Sequence, residues 1–272
     1  AILPIRLQSL VTFIEIQLGH SIPNRWYTDT GPLLERELAQ RAGLGWIGKN
    51  TCLINPDRGS FFLLAEILLG IELEPDDPFT LDRCGACTRC ITACPTGCIL
   101  PDRTLDARRC ISYITIELKA AIPAELRPLM DNWVFGCDIC QQVCPWNRFA
   151  SEQGDPGFNQ AISSPGPSLL AEMALTHEEF NHKYRHTPLA RAKRRGYLRN
   201  VAVALGNSHS AGVEEVLNCA LSQDPEHLVR GHAVWALGQI NTTSAWLAIQ
   251  KAAAAEEDPS VLLEIQAILD RG

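Results

Sequence analysis

The stretch that organises this chain reads Cys84-Gly-Ala-Cys87-Thr-Arg-Cys90-Ile-Thr-Ala-Cys94-Pro95. A shortened copy follows as Cys137-Asp-Ile-Cys140-Gln-Gln-Val-Cys144-Pro145, with Cys110 between the two. In the spacing C-x2-C-x2-C-x3-C-P, three close thiolates bind one [4Fe–4S] cluster and the fourth binds another. Cys110 supplies the ligand that the shortened copy lacks. Eight cysteines therefore suffice for two clusters, with Cys94 and Cys144 crossing over.

Two other uses of cysteine compete with this interpretation. Zinc also takes C-x2-C pairs, but four ligands complete a zinc site and the longer run has no role there. A disulfide framework is typical of small secreted chains, whereas this chain has 272 residues and shows no export signal. We therefore predict two iron–sulfur clusters and, from eleven cysteines without such a signal, a reducing cytoplasm as the compartment.

The composition is that of an ordinary globular protein. Hydrophobic residues make up 46% and charged residues 20%, and the formal net charge is −7. This length predicts two or three domains, and no apolar run approaches the ~18 residues that a membrane span needs. We expect no membrane contact. Because the chain starts at Ala1 directly in a helical pattern, we also expect an N-terminal part to be missing.

The residues before the cysteines alternate between helical and extended patterns. In order, they predict an amphipathic helix over 3–18, a strand over 26–28, a helix to about Ala42, a strand over 52–54 and a buried helix over 60–70. Such alternation is typical of an α/β or α+β layer. An acidic, proline-bearing linker over 72–83 leads into the cysteines.

Asp29 follows the first strand, in Asp29-Thr30-Gly31-Pro32. One interpretation is structural, with Asp29 or Thr30 capping the second helix and Pro32 in its first turn. The other is functional, because a carboxyl group at a strand–helix junction can serve as a general acid. An aspartic protease would need two such aspartates, and no second copy exists in the sequence.

A glycine-rich loop runs from Gly43 to Thr51. It resembles a phosphate-binding loop, but Asn50 stands where that motif requires Ser or Thr. We expect instead that its backbone closely approaches a flat cofactor or the next domain. Three further cysteines, Cys52, Cys98 and Cys219, are predicted to be non-ligands packed as small apolar side chains.

The charge changes sign near the C-terminal third, because no acidic residue occurs from Asn181 to Gly212. The basic residues there are Lys183, Arg185, Arg191, Lys193, Arg194, Arg195 and Arg199. A solvated helix face is the usual explanation of such a run. In a chain of net charge −7, we favour contact with nucleic-acid phosphates. His182 and His186 have the spacing of a metal pair on a helix, but no third ligand is evident.

The tail repeats itself. Ala204-Leu205-Gly206 returns as Ala236-Leu237-Gly238, and Asp224-Pro225 returns as Asp258-Pro259. Helix pairs of this length are typical of short HEAT-like repeats. The stretch before them, 151–176, is rich in Ser, Gly and Pro and is predicted to be a loop or linker. A protein-binding scaffold is the alternative to a nucleic-acid-binding tail.

Taken together, these motifs resemble the epoxyqueuosine reductase family. The segments that carry the resemblance are Thr28–Pro32, Ala42–Thr51, the cysteine runs, Arg109–Tyr113, Cys137–Asn147 and Arg191–Asn200. It covers nearly the whole chain, except that the family has a substantial N-terminal portion absent here. Cys52 and Cys98 depart from its pattern.

The resemblance implies an α+β multidomain fold. It comprises part of an α/β cobalamin-binding domain (1–80), a two-[4Fe–4S] ferredoxin-like module (81–150), and a linker with α-helical HEAT-like repeats that bind tRNA (151–272). The implied reaction reduces epoxyqueuosine to queuosine at the tRNA wobble position, with electrons passing through the clusters to cobalamin. The implied partners are the tRNA anticodon stem–loop and an external donor such as a flavodoxin or ferredoxin, and the implied state is a monomer.

The resemblance also implies roles for single residues. Asp29 is the acid that protonates the epoxide oxygen. Cobalamin contacts are expected from Leu53, Ser112, Asp138 and Ile139. One cluster is expected on Cys84, Cys87, Cys90 and Cys144, and the other on Cys94, Cys110, Cys137 and Cys140. RNA contacts are expected from Arg191, Lys193, Arg194, Arg195 and Arg199. A dehalogenase-like cobalamin reductase and a ferredoxin-type electron-transfer protein remain as alternatives.

Overall fold

The structure is a computed structural model that describes residues 2–150, 166–208 and 210–271. The chain divides into two compact units, each assembled from several segments. The first comprises Ala1–Cys94, Ile99–Leu105 and Ile139–Ser164. The second comprises Pro95–Cys98, Asp106–Asp138 and Pro165–Gly272. In these described residues, no helix is long and apolar enough to cross a membrane.

The first unit contains short helices and two small antiparallel sheets. Its helices are α1 Ile2–Leu18, α2 Glu35–Arg41, α3 Arg89–Ala93 and α5 Ile139–Gln142. Its strands are β1 Asn24–Tyr27, β2 Trp46–Ile47, β3 Leu53–Ile54 and β4 Glu66–Leu69. Strand β1 pairs with β4, and β2 pairs with β3. The predicted first helix and the two predicted strands are confirmed.

The predicted buried helix over 60–70 is wrong. Its second half is strand β4, in which Leu69 lies opposite Asn24 and Glu66 opposite Tyr27. Several of its apolar side chains are exposed, Leu63 at 63%. A short apolar run does not distinguish helix from strand by itself, and the pairing partner lies far away in the sequence.

The predicted cap of the second helix is also wrong. Helix α2 begins at Glu35 after Leu34, which makes no side-chain capping bond. Asp29 lies before this helix, at the end of the β1 strand segment, with a left-handed φ of 63°. Its backbone N–H donates to Oε1 of Glu35 at 2.8 Å. The carboxyl group of Asp29 therefore does not cap the helix.

The second unit is almost entirely helical. Its helices are α4 Ile111–Ile116, α6 Leu169–Met173, α7 His177–Tyr184, α8 Lys193–Ser208, α9 Val213–Gln223, α10 His227–Ile240, α11 Thr243–Ala253 and α12 Pro259–Leu269. The predicted linker over 151–176 lies partly outside the described residues, and its remainder contains α6. Cys98 is buried as predicted, whereas Cys219 is exposed, so its predicted burial is wrong.

The sequence repeat has a packing counterpart in this unit. A Cβ on Gly206 of α8 would lie 2.8 Å from Cα of Ala236 on α10. A Cβ on Gly238 of α10 would lie 2.8 Å from Cγ2 of Ile268 on α12. The second contact, Gly238 with Ile268, occupies the positions 32 residues after the first, Gly206 with Ala236. The same interval separates the two Ala-Leu-Gly copies. Successive helices therefore approach closely at the glycine of each copy.

We predict opposite effects for alanine at two helical glycines. Gly206→Ala should lower the free energy of unfolding by about 1–2 kcal/mol, because its methyl group overlaps α10. Gly231→Ala, in α10, should raise it by about 0.5–1 kcal/mol, because no atom lies within 4 Å of the added carbon and alanine favours helix. Thermal and urea unfolding of the two variants would measure both effects. Equal destabilisation by both substitutions would contradict the close approach of α8 and α10.

Candidate metal centre and acid-bearing cavity

Four of the predicted ligands lie together. Cys84, Cys87, Cys90 and Cys144 all line one cavity of about 90 Å³ in the first unit. Nowhere in the described residues do three His, Cys, Asp or Glu side chains form a group suited to a single metal ion. Four thiols around one cavity suit a cubane, in which each thiolate binds a different iron. The C-x2-C-x2-C spacing of three of them favours a [4Fe–4S] cluster over zinc.

Two thiols in this cavity, those of Cys90 and Cys144, have a raised pKa. Burial raises the pKa of Cys90, and the nearby Cys84 and Cys144 raise it further. Burial likewise raises the pKa of Cys144, with Cys84 and Cys87 adding to the effect. Four negative thiolates would repel one another here, so the site needs positive charge between them. Iron ions provide that charge and displace the protons.

The backbone at each Cys-Pro step turns the last cysteine of a run. Cys94 ends helix α3 with φ −69° and ψ 114°. Cys144 has nearly the same conformation, φ −71° and ψ 122°. A following proline disfavours the α region and holds the preceding residue extended. Helix α3 consequently ends at Cys94, and α5 ends shortly before Cys144. Each of these cysteines is therefore extended and does not continue the helix.

The glycine-rich loop supports the cluster cavity. Nζ of Lys49 donates to the backbone oxygens of Gly85 at 2.7 Å and Cys87 at 2.9 Å. These contacts hold the turn between the first two cysteines and place an ammonium group beside them. Nε1 of Trp46 donates to Sγ of Cys84 at 3.4 Å. Such hydrogen bonds to sulfur are one of the factors that set the reduction potential of a cluster.

The close backbone approach expected of this loop is to the chain itself. A Cβ on Gly45 would lie 2.1 Å from the backbone oxygen of Ile54 in β3. Only glycine permits that contact, which brings β2 and β3 together. The loop is thereby fixed so that Lys49 and Asn50 face the cysteines, and both side chains line the cavity.

The other four predicted ligands are divided between the units. Cys94 and Cys140 belong to the first unit, and Cys110 and Cys137 belong to the second. Cys110 directly precedes helix α4, and Cys137 follows Gly136, whose N–H donates to Oγ1 of Thr115 at 3.0 Å.

Arg199 in α8 fixes one of these two segments of the second unit. It is fully buried and donates to the backbone oxygens of Ile114, Leu118 and Ala120 at 2.7–2.8 Å. Burial lowers the pKa of Arg199 to about 10, so it remains a cation at neutral pH. The prediction that Arg199 contacts RNA is wrong, because its guanidinium group lies inside the protein and is satisfied there.

Asn200, the next residue, fixes the other segment. Its Nδ2 donates to the backbone oxygens of Thr115 and Val134, both at 2.8 Å. One amide therefore joins the helix that follows Cys110 to the loop that precedes Cys137. Sequence reasoning missed this role, because an asparagine in a basic run gives no sign of the direction in which it points.

Arg194 is the second cation that the structure removes from the predicted RNA surface. Its guanidinium group makes two hydrogen bonds to the carboxylate of Asp224, at 2.6 and 3.2 Å, and a third to the backbone oxygen of Leu175. Only 9% of the residue is exposed. Lys193 and Arg191 are exposed and Arg195 is half-buried, and Arg191 pairs with Glu117 at 2.6 Å.

The predicted acid lies in a second cavity of the first unit. Asp29 and Leu53 both line this cavity of about 430 Å³. Its polar wall includes Glu35 and Arg36, and its apolar wall includes Phe62, Leu63 and Leu64. Cys52, a predicted non-ligand, lines it too. The structure thus brings together the predicted acid and one predicted cofactor contact.

Glu66 in β4 is a carboxyl group that sequence reasoning missed. Its Oε2 is buried and has no hydrogen-bond partner among the described residues. Burial raises the pKa of Glu66, and repulsion from Glu35 raises it further. A carboxyl group that sequence reasoning did not consider therefore lies close to Glu35 in this part of the first unit. Sequence reasoning missed it because the pattern of the stretch 60–70 predicts a helix, whereas Glu66 lies in strand β4.

The remaining predicted contacts lie on the cysteine-bearing segments. Ser112 lies in α4 and Asp138 precedes α5, both in the second unit, while Ile139 begins α5 in the first. His182 and His186 are exposed near the end of α7. They belong to no metal-binding group that the described residues form.

Comparison with known proteins agrees with the cysteine pattern. A family model described as a 4Fe-4S double cluster binding domain matches residues 83–147. Epoxyqueuosine reductase of Alicycliphilus denitrificans is 42% identical over 245 residues, which are 88% of this chain and 68% of that protein. This chain belongs to the epoxyqueuosine reductase family.

Other members of the family agree in sequence and in fold. The Pseudomonas aeruginosa protein is 46% identical, and the chain spans 64% of its length. The Escherichia coli protein is 43% identical, and the chain spans 61% of it. A crystal structure of epoxyqueuosine reductase with a tRNA-Tyr epoxyqueuosine-modified stem loop matches 99% of this chain and 71% of its own, with a TM-score of 0.90 and 34% identity.

A further structure of the family concerns a catalytic loop. Epoxyqueuosine reductase from Bacillus subtilis is described with its catalytic loop, named for an aspartate, swung out of the active site. That structure matches 98% of this chain and 71% of its own, with a TM-score of 0.82 and 31% identity.

We predict that Asn200→Ala lowers the iron content of the protein. Without the amide, the backbone oxygens of Thr115 and Val134 lose their donor, and the segments beside Cys110 and Cys137 are no longer held together. Iron and acid-labile sulfide should fall by about half per chain, because each cubane takes four cysteines.

Asn207 provides a matched control on the same helix. Its Nδ2 donates to the backbone oxygens of Arg127 at 2.9 Å and Asp131 at 2.8 Å, which lie further from Cys137 in sequence than Val134 does. Asn207→Ala should lower stability but keep its iron. If both variants retain iron equally, Asn200 does not position the ligands.

Proposed function

We propose that this chain, as part of its full-length protein, reduces epoxyqueuosine in tRNA to queuosine. The observation that carries the proposal is that Asp29 and Leu53 line one cavity of the same unit in which four cysteines surround another. An electron-carrying centre and a proton donor are the two requirements of this reaction. Family membership and the cluster-binding match support the assignment.

The chemistry sets what the residues must supply. Reduction of an epoxide to an alkene takes two electrons and two protons, breaks two carbon–oxygen bonds and releases the oxygen as water. Each [4Fe–4S] cluster moves one electron at a time. The first broken bond leaves negative charge on oxygen, and a carboxyl group placed there neutralises it. We assign that protonation to Asp29, which lies on a loop, as does the aspartate for which the Bacillus subtilis catalytic loop is named.

The residue types that line the cavity beside Asp29 would suit cobalamin. The apolar side chains of Leu53, Phe62 and Leu63 would suit one face of a flat macrocycle, and Asp29 lines the same cavity. Bound there, cobalamin would supply the reducing chemistry toward the epoxide carbon. The residues that we expect to contact it are Leu53, Ser112, Asp138 and Ile139. The second cluster, on Cys94, Cys110, Cys137 and Cys140, would be the one nearer to it.

The helical second unit would hold the tRNA. We propose that α8 to α12 form HEAT-like repeats, supported by the glycine contacts that recur at an interval of 32 residues in Gly206 and Gly238. The anticodon stem–loop is the expected ligand, since a family structure contains a modified stem loop. In the predicted division, residues 1–80, 81–150 and 151–272 correspond to the cofactor, cluster and RNA domains.

A cation-lined cavity in this unit is the strongest candidate for an RNA phosphate. Lys119, Arg195, His227 and Ser260 line it, and its volume is about 240 Å³. The only carboxylate among its described lining residues, Glu264, pairs with Arg127 at 2.6 Å. Arg195 makes no hydrogen bond or ion pair to another described residue. Burial lowers the pKa of Lys119, and the cations Lys193 and Arg191 lower it further.

Asp29→Asn should abolish the reduction while preserving both binding functions. Asparagine tolerates the left-handed backbone at this position but cannot donate the proton. We expect turnover of epoxyqueuosine tRNA by the full-length protein, with cobalamin and reductant, to fall at least about 100-fold. Iron content and RNA affinity should not change. The matched control is Asp57→Asn, an exposed aspartate of the same unit. Full turnover by Asp29→Asn would refute its role.

Arg195→Gln and Lys119→Gln should each weaken binding of the anticodon stem–loop and lower the salt slope of the affinity by about 1. Arg194→Gln should lower stability without changing that slope, because its charge is used inside the protein. Lys251→Gln, an exposed lysine on α11, serves as the control. Binding titrations of the full-length protein at several salt concentrations measure the slopes. Equal slopes in all four variants would exclude this cavity.

A further inference from the structure

A wide groove in the first unit has no role in RNA binding or in epoxide reduction as proposed above. It has a volume of about 1100 Å³. Three residues line both this groove and the four-thiol cavity: Arg89, Cys144 and Pro145. One cysteine of the cluster site therefore borders the groove directly. Electrons that enter from a partner in the groove would have a short path to that thiolate.

The groove is lined by both apolar and cationic side chains. Phe61, Ala93 and Val143 supply apolar surface, and the Phe61 residue is 50% exposed. Arg89 and Arg148 are both exposed. No aspartate or glutamate occurs among the described residues that line the groove. In a chain of net charge −7, these arginines give the surface around Cys144 a local excess of positive charge.

Another arginine adds to the positive charge on this side. Arg83 is exposed and lines the four-thiol cavity, with its guanidinium carbon 5.9 Å from the ring centre of Trp146. Arg148 lies over the ring of Phe149, 4.5 Å from its centre, and Phe149 is itself 44% exposed. Stacked guanidinium groups remain charged and accessible. An apolar patch with arginines around it is a usual composition for a protein interface.

We propose that this groove is the docking surface for a small acidic protein that carries single electrons. Weak electron-transfer complexes use small interfaces, and complementary charge speeds their encounter. The carrier loses one electron, and the cluster on Cys84, Cys87, Cys90 and Cys144 gains it. No bond forms or breaks, and no proton moves. Two such deliveries supply the two electrons of the proposed reduction. The inference rests on the proposed function only in naming the epoxide as the final acceptor of these electrons.

The test measures delivery of electrons rather than product. Full-length protein with loaded clusters is mixed anaerobically with reduced flavodoxin, and the cluster absorbance is followed by stopped flow without RNA. The variants are Arg89→Gln with Arg148→Gln, and Arg89→Glu with Arg148→Glu. The control is Arg41→Gln, an exposed arginine on α2 outside the groove. Reduced methyl viologen, a small cation, replaces flavodoxin in a parallel series.

We expect the neutral double variant to lower the second-order rate with flavodoxin about 10-fold at low salt. The charge-reversed variant should lower it further, and both should lose most of the salt dependence. The control and the iron content should not change, and methyl viologen should reduce the variants at least as fast as the wild type. Flavodoxin rates within twofold of wild type would overturn the proposal.

Two other outcomes would also overturn it. A parallel loss with methyl viologen would indicate a damaged cluster rather than lost docking. A loss of stem–loop affinity with unchanged flavodoxin rates would assign the groove to RNA. Because no epoxyqueuosine is present, failure of this test leaves the proposed reduction intact. Conversely, a protein inactive on epoxyqueuosine would still show the docking effect if the groove has this role.

Discussion

The buried pair Arg199 and Asn200 of α8 holds two separate segments of the second unit in place. A guanidinium group taken out of water must have its donors satisfied, and here backbone oxygens of the segment 114–120 do this. Asn200 adds the oxygens of Thr115 and Val134. Two adjacent side chains of α8 thus decide where the chain runs after Cys110 and before Cys137. The helical tail in this way supports the segments that carry two of the proposed cluster ligands.

This arrangement explains why the basic run was only partly understood from the sequence. The residue type gives the sign of a charge, but whether the side chain points inward or outward depends on which face of the helix is buried. Arg194 and Arg199 point inward, where Asp224 and backbone oxygens satisfy them, while Lys193 is exposed. The acid that pairs with Arg194 lies outside the acid-free stretch. A run without local acids can therefore still be neutralised from a distant part of the chain.

The features that sequence predicted well depend on local spacing. The four thiols of one cavity follow from the interval between cysteines and from the proline after each run, and both are chemical requirements of the cluster. The 32-residue glycine contacts follow from the repeat. The features that sequence missed depend on distant partners. Strand β4 exists because it pairs with β1, and the buried carboxyl group of Glu66 is a consequence of that pairing. Local pattern alone could supply neither.

The two proposed partners of the chain are both anionic, and this restricts where they can bind. If the acidic carrier and the tRNA used the same cations, each would displace the other. Reduction of one epoxide requires two electrons that arrive singly, and separate binding sites let the carrier deliver them whether or not the RNA is bound. The chain offers separate cations for this purpose, Arg89 and Arg148 in the first unit and Lys119 and Arg195 in the second. In a chain of net charge −7, two separate groups of cations allow both anionic partners to bind at the same time.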